Sequence, residues 1–198
     1  MKTGPKYKVC RRLGSSVYTK CQTQKYSLSE ERRTPKRRRR SSSNFAVQLI
    51  EKQRARFTYG VSEKQFSRYV KEAVEKKGSP AGNLYRRLEE RLDNVIFRMG
   101  YAKSRRMARQ LVSHGHFVIN GRKMTIPSYQ VKVGDTIVLK DRSQDTIFAG
   151  KEEAAVAMPS WIEVDAKKSH VHSVTSGPQY NAADEAFDLT KVVEFYSR

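Results

Sequence analysis

Positive charge is distributed very unevenly along this chain. Residues 1–60 contain 17 Lys and Arg against 3 Asp and Glu, and residues 61–126 contain 15 against 6. Residues 127–198 contain 8 against 11, although the chain as a whole has a net charge of +20. Solubility requires only a modest, interspersed net charge, so this distribution indicates that the first two thirds lie against a polyanion. The last third is expected to face something else.

The charge is densest in residues 32–40, where seven of nine residues are Lys or Arg. The cations of such a run repel one another in isolation and are held close to one another only by phosphate groups. Apolar residues show no period in residues 1–43, which predicts a basic extended segment without a core. A solvated tail or an import signal is the alternative to a segment that becomes ordered on RNA. The candidate RNA contacts in this segment are Arg37, Arg38, Arg39 and Arg40.

The composition limits the class of protein. Hydrophobic residues make up 37% of the 198 residues, which is enough for one or two small domains. No apolar run approaches the roughly 20 residues of a membrane span, and the N-terminus lacks the apolar stretch of a signal peptide. We therefore expect a cytoplasmic protein without a membrane partner.

Cys10 and Cys21 are the only cysteines in the sequence. One disulfide is too few for a stapled secreted scaffold, so we expect both thiols to be reduced. A structural zinc site needs four ligands, and all four histidines lie at position 114 or beyond. The sequence therefore predicts no metal and no cofactor.

Residues 44–100 have the periodicity of amphipathic helices. The first helix is expected to stop at Tyr59-Gly60, and the second to begin with a capping box formed by Ser62 and Gln65. A third helix is expected to follow as a single element, closed by Gly100. Its apolar face consists of Leu84, Leu88, Leu92, Val95, Ile96 and Met99.

The segment from Ser104 to His116 has the clearest functional pattern. Ser104 suits the N-cap of a short helix and Gly115 suits its C-terminal end. Met107, Ala108, Leu111 and Val112 are expected to face inward, which leaves Arg105, Arg106, Arg109 and Gln110 near the outer side. Asn120-Gly121 then indicates a two-residue hairpin turn, followed by Arg122 and Lys123. A basic helix beside a basic hairpin can grip an RNA backbone by its shape.

Several of these motifs resemble, in order and spacing, those of a known family, that of the small-subunit ribosomal protein S-four. The motifs that resemble its RNA-binding module are Arg91-Leu92-Asp93-Asn94-Val95, Ser104-Arg105-Arg106, Val118-Ile119-Asn120-Gly121 and Gly134-Asp135. Trp161-Ile162-Glu163-Val164-Asp165 and the terminal Phe195-Tyr196-Ser197-Arg198 resemble the ribosomal protein outside that module. The resemblance spans residues 44–198. Residues 1–43 depart from it, because they have neither the four zinc-binding cysteines of some members nor the Gly-Gln-His-Gly stretch of others.

The resemblance implies a structural constituent of the small ribosomal subunit. Such a protein binds the 5′ domain of small-subunit ribosomal RNA early and nucleates assembly. Its implied partners also include the neighbouring small-subunit protein five, through which it affects translational accuracy, and messenger RNA at the entry channel. The implied RNA contacts in the module are Arg91, Ser104, Arg105, Arg106, Arg109, Gln110, His114, His116, Asn120, Gly121 and Arg122. Further candidates from the helical layer are Arg54, Arg56 and Arg68.

The predicted fold class is α+β. A helical domain is expected from residues 44–90, continued by residues 140–198, with a small α/β RNA-binding module of helices on a short antiparallel sheet inserted at residues 91–139. The insertion is implied by the resemblance and not by periodicity. Residues 1–43 are expected to form the basic extended N-terminal segment.

Two other functional classes are alternatives to this one. An RNA-modifying enzyme can carry the same module, but residues 141–198 are too short for a catalytic domain and have no recognisable catalytic motif, so no enzyme is expected. A free-standing factor for ribosomal RNA assembly or stress is the alternative. Such a factor would have no reason to keep the long helical layer or the terminal Phe195-Tyr196-Ser197-Arg198 motif.

Overall fold

The computed structural model of the chain describes residues 4–32, 43–140, 158–165, 168–183 and 185–197. The chain divides into two compact units, Met1–Leu84 with Tyr180–Arg198, and Tyr85–Gln179. Helices and a small antiparallel sheet together confirm the predicted α+β class. In the described part of the chain, no helix has both the length and the apolar character to cross a membrane.

The first unit is helical. Its first elements are α1 (Lys6–Leu13), α2 (Gln24–Glu31), α3 (Asn44–Tyr59), α4 (Glu63–Glu75) and the start of α5 (Pro80–Glu89). The helices α6 (Leu92–Arg98) and α7 (Arg105–Ser113) belong to the second unit. The last helix of the first unit is α8 (Leu189–Tyr196). The α3 and α8 helices pack together. Buried Ala55, Tyr59, Phe66, Tyr69 and Leu189 contribute to the apolar interior of this unit.

Local signals predicted the end of α3 and the start of α4. The hydroxyl of Ser62 accepts a hydrogen bond from the Gln65 amide at the start of α4, as predicted. The side-chain amide of Gln65 donates to the Tyr69 hydroxyl instead of completing a capping box. Gly60 ends α3 in the left-handed conformation, with φ of 63°, which glycine adopts without steric cost.

The third predicted helix is divided in two. Its apolar face is buried as expected, but α5 ends at Glu89 and α6 begins at Leu92. Between them Arg91 is extended and forms an isolated antiparallel bridge with Gln130. The Val131 amide donates to the Glu90 carbonyl and the Leu92 amide donates to the Tyr129 carbonyl. Backbone pairing with a distant segment therefore replaces helical hydrogen bonds at this point, which periodicity could not reveal.

Residues 4–32 differ from the coreless extended segment that was predicted. They form α1, α2 and two short 3₁₀ turns, Ser15–Val17 and Thr19–Cys21. The expectation of reduced thiols was wrong in this structure, because Cys10 and Cys21 form a disulfide. Both cysteines are buried with Tyr26, and Tyr18 packs against them. A small apolar cluster and one disulfide therefore hold this segment together.

The second unit contains a five-stranded antiparallel sheet with the order β2-β1-β3-β5-β4. The strands are β1 (Phe117–Ile119), β2 (Arg122–Met124), β3 (Thr136–Leu139), β4 (Ile162–Asp165) and β5 (Lys168–Val174). The core of this unit combines α6, α7 and the sheet, with Ile96, Val112, Phe117, Leu139 and Trp161 among its buried residues.

The two units have different boundaries from the predicted division into residues 1–43, 44–90 with 140–198, and 91–139. Strands β4 and β5 extend the sheet of the second unit, whereas the prediction grouped residues 140–198 with the helical domain. The functional division of the chain stays a prediction.

Candidate RNA-binding surface

The α6 and α7 helices are joined by a charged network centred on Asp93, which is 2% exposed. Arg91 donates from Nε and Nη2 to the two oxygens of this carboxylate at 3.2 and 3.1 Å. Arg109 of α7 donates from Nε and Nη2 to Oδ2 at 2.8 and 2.6 Å. One carboxylate therefore binds two guanidinium groups.

The two arginines differ sharply in exposure. The side chain of Arg91 is 3% exposed, whereas that of Arg109 is 33% exposed. Burial of a charge is tolerated when it is paired and hydrogen-bonded, and Arg91 meets that condition. Its geometry is that of a structural residue, while Arg109 still reaches the surface.

Arg105 is held by the residue next to Asp93. Its Nε donates to the Asn94 side-chain oxygen at 2.7 Å, and its guanidinium lies 4.6 Å from the centroid of the Phe97 ring. Asn94 in turn donates to the Glu89 carbonyl. Because Arg105 and Arg109 are four residues apart on α7, they lie on the same side of that helix.

The remaining polar residues of α7 point outward. Ser104 caps the helix by accepting a hydrogen bond from the Met107 amide, as predicted. Arg106 and Gln110 are exposed. Met107 is also exposed, contrary to its predicted inward position. The outer side of α7 therefore combines cations, an amide and one apolar side chain.

The predicted hairpin is confirmed. Asn120 and Gly121 have φ of 48° and 77°, as a type I′ turn requires, and join the antiparallel strands β1 and β2. The Asn120 side chain donates to Asp135 at 2.8 Å and accepts from the Thr136 amide at 2.9 Å. These bonds attach the turn to the start of β3.

The cations after the turn are exposed, and Lys123 lies close to the end of α7. Arg122 and Lys123 are both exposed on β2. A Cβ atom at Gly115 would overlap the Lys123 side chain, so Lys123 reaches the loop that directly follows α7. The helix and the hairpin thus contribute to one basic region of the second unit.

His114 and His116 lie at the same end of α7, with ring centroids 6.0 Å apart. His114 is exposed and His116 is half-buried. Burial lowers the pKa of His116, and the positive charges of His114 and Lys140 lower it further. These causes favour the neutral form of His116.

In the helical unit, all three candidate arginines have partners within the protein, but they differ in exposure. Arg54 donates to the Leu13 and Ala186 carbonyls and to Glu51. Arg56 pairs with Glu63 at 3.0 Å. Arg68 is the most exposed of the three and lies 3.6 Å from Glu72.

Glu63 is the centre of this second network, which the sequence did not reveal. It accepts from the buried Lys52 at 2.6 Å and from the Tyr196 hydroxyl at 2.7 Å. Burial by itself would raise the pKa of Glu63, but these hydrogen bonds and the charges of Lys52 and Arg56 lower it. The network attaches α8 to α3 and the start of α4.

Four of the predicted RNA contacts, Arg37, Arg38, Arg39 and Arg40, lie outside the described residues. Within the described ranges, no group of three or more His, Cys, Asp and Glu side chains could hold a metal ion. The sequence did not reveal that the carboxylates of Asp93, Glu63 and Asp135 bind the basic and polar side chains around them. The only sequence signal for Asp93 was its place in Arg91-Leu92-Asp93-Asn94, since burial of a carboxylate cannot be read from local pattern.

Comparison with known proteins identifies relatives along the whole chain. The family model described as "Ribosomal protein S4/S9 N-terminal domain" matches residues 1–89, and that described as "S4 domain" matches residues 90–137. A protein of Thermotoga petrophila named "Small ribosomal subunit protein uS4" is 41% identical, over 99% of this chain and 98% of its own length. Proteins of the same name from Acetivibrio thermocellus and Trichlorobacter lovleyi are 42% and 45% identical, covering 99% and 82% of this chain and 98% and 82% of their own lengths.

Proposed function

The chain belongs to the small ribosomal subunit protein uS4 family, and on that premise we propose that it binds the 5′ domain of small-subunit ribosomal RNA. As a member of this family it is a structural, non-enzymatic constituent of the small ribosomal subunit, whose partners are ribosomal RNA and other ribosomal proteins. The direct contact with the 5′ domain is the finer proposal.

The observation that carries the proposal is the basic region formed by α7 and the β1–β2 hairpin. Arg106, Gln110, Arg122 and Lys123 are exposed there, and Lys123 lies beside Gly115 at the end of α7. A rigid helix and a short hairpin present these groups at fixed positions, which suits recognition of RNA by its shape and backbone.

The residues of this region have different roles in the proposed mechanism. Arg106, Arg122 and Lys123 contact phosphates directly, and Arg105 and Arg109 do so from positions fixed by α6. His114 and His116 face the RNA at the end of α7. Ser104, Asn120 and Gly121 shape the surface through the helix cap and the hairpin turn. Arg91 supports it from the interior, because its side chain is 3% exposed.

The wider role follows from the resemblance. We propose that binding to the 5′ domain occurs early and nucleates assembly of the subunit. Contact with the neighbouring small-subunit protein five would link the protein to translational accuracy, and messenger RNA would pass near it at the entry channel. In the helical unit, Arg68 is the exposed candidate for an RNA contact, whereas Arg54 and Arg56 stabilise the helices. Arg37 to Arg40 are proposed to follow a further RNA surface.

Selective binding is the test of this proposal. Purified protein is titrated with its own 5′ domain RNA and with an unrelated structured RNA of equal length, from 50 to 200 mM salt. A protein that makes six to ten phosphate contacts loses about 10³- to 10⁵-fold in affinity over this range on double-stranded DNA, so some loss is expected for both RNAs. Preference for the 5′ domain that survives at the highest salt supports the proposal. Equal affinity for both RNAs contradicts it.

A further inference from the structure

We propose that Asp93 is a positioning residue for RNA binding, which holds the guanidinium of Arg109 in the orientation that receives a phosphate. Asn94 has the same role for Arg105. The inference rests on the proposed function and extends it to two residues that do not themselves touch the RNA. Neither residue can do so directly, because Asp93 is 2% exposed and Asn94 is 1% exposed.

The geometry favours orientation over simple charge neutralisation. Arg109 donates hydrogen bonds from both Nε and Nη2 to Oδ2 of Asp93, at 2.8 and 2.6 Å. Two donors on one acceptor fix the plane of the guanidinium group as well as its position. A planar group held in this way loses less conformational entropy when it binds a ligand than a mobile side chain does.

The carboxylate also has a buried partner on its other side. Arg91 donates to both oxygens of Asp93 from the interior, and its side chain is 3% exposed. The order Arg91, Asp93, Arg109 therefore runs from the core to the surface. Asp93 is the member that contacts Arg109 directly, and the side chain of Arg109 is the outermost, with 33% of it exposed.

The neighbouring residue repeats the arrangement for the second arginine. Asn94 accepts from Arg105 at 2.7 Å, and the ring of Phe97 lies under the guanidinium at 4.6 Å. Adjacent residues of α6 thus hold two arginines that are one turn apart on α7. The spacing of four residues places their Cα atoms about 6 Å apart along the helix axis, so the two cations form a row.

The decisive variant is Asp93→Asn, because the two explanations of the carboxylate predict opposite effects on affinity. If Asp93 only adds negative charge near the RNA, its removal makes the protein more positive and binding tightens or stays the same. If Asp93 positions Arg109, binding to the 5′ domain RNA weakens at least tenfold at fixed salt, although the protein has gained a positive charge. The matched charge control is Glu163→Gln, which removes an exposed carboxylate from the same unit.

A double-mutant cycle identifies the residue through which Asp93 acts. In an Arg109→Ala background, Asp93→Asn is expected to change affinity by less than twofold, because the positioned group is already absent. In an Arg106→Ala background, the effect of Asp93→Asn should persist in full, since Arg106 is exposed on the same helix without an Asp93 contact among the bonds described. Equal effects in both backgrounds would overturn the inference.

The melting temperature is measured for every variant, and the salt dependence of binding is recorded with it. A folded Asp93→Asn protein that binds the 5′ domain as well as the unmodified protein overturns the inference. If Asp93→Asn does not fold, Arg109→Lys is tested in its place. Lysine keeps the positive charge but cannot reproduce the two hydrogen bonds that Nε and Nη2 of Arg109 donate to Asp93. Binding by Arg109→Lys at least fivefold weaker, with a shallower salt dependence, is expected; unchanged affinity overturns the inference.

Failure of the inference can be distinguished from failure of the proposed function. If the unmodified protein does not prefer the 5′ domain RNA, the proposed function fails. If it does and Asp93→Asn binds equally well or more tightly, only the positioning role is lost.

Discussion

Replacement of Arg91 by alanine should unfold the second unit more readily and leave in place the groups that we propose to contact RNA. The change removes two charge-assisted bonds to Asp93, at 3.2 and 3.1 Å, in a site where both side chains are 3% exposed. Breaking a buried ion pair costs about 3–5 kcal/mol. Because Arg109 still bonds to Asp93, we expect the lower end of this range, about 3 kcal/mol.

Trp161 provides the assay, since it is the one tryptophan of the chain and lies in the core of this unit. With a urea slope of about 1–3 kcal/mol/M for a small protein, a loss of 3 kcal/mol lowers the midpoint by about 1–3 M. Arg106→Ala is the matched control, because an exposed substitution on α7 should change stability by less than about 0.5 kcal/mol.

The same two variants should behave in the opposite way in RNA binding. At a temperature where both are folded, Arg106→Ala weakens binding to the 5′ domain RNA and Arg91→Ala does so much less. A stability loss below about 1 kcal/mol for Arg91→Ala, together with a loss of RNA affinity larger than that of Arg106→Ala, would refute the assignment of Arg91 to the interior.

Three further predictions concern other parts of the protein. Reduction of the disulfide between Cys10 and Cys21, which are 11 residues apart, should remove about 3 kcal/mol of loop-closure stabilisation and increase trypsin cleavage in residues 4–32; an unchanged cleavage pattern would contradict the structural role of this link. The pKa of Glu63 is lowered, so the stability that Glu63 contributes is present above its unfolded pKa and is lost as pH falls through the lower folded pKa. Glu63→Gln should make the free energy of unfolding, measured by urea titration, fall less steeply over this acidic range. An equally steep fall in the variant would count against the network. Asn120→Ala should cost about 2 kcal/mol through two lost hydrogen bonds and strain at φ of 48°, while Asn120→Gly relieves the strain; equal Trp161 unfolding curves for the two variants would show that φ does not matter.

The features that local chemistry determines were predictable from the sequence. The caps at Ser62 and Ser104 depend on a hydroxyl and amides three residues away, and the Asn120-Gly121 turn depends on two residues that tolerate positive φ. Each signal lies within a few residues of the structure it produces. For the same reason, the predicted outward placement of Arg106 and Gln110 agrees with their exposure.

The features that depend on distant partners were not predictable. The break between α5 and α6 is stabilised by the bridge from Arg91 to Gln130, which lies far along the chain. Arg54 reads as a surface cation by pattern, yet it bonds to the Leu13 and Ala186 carbonyls. A sequence shows where a cation is placed on a helix but not which carboxylate or carbonyl folds against it.

The number of phosphates contacted by the α7 and hairpin region tests the central claim most directly. It is obtained from the slope of binding affinity against salt, on a logarithmic scale, for the unmodified protein and for Arg106→Ala/Arg122→Ala/Lys123→Ala with the 5′ domain RNA. Each lost phosphate contact lowers the magnitude of the slope by about 1, so the triple variant should lose about 2–3 in slope while keeping its Trp161 unfolding curve. A triple variant with unchanged slope and affinity would contradict the account, because RNA binding would then depend on another surface of the protein.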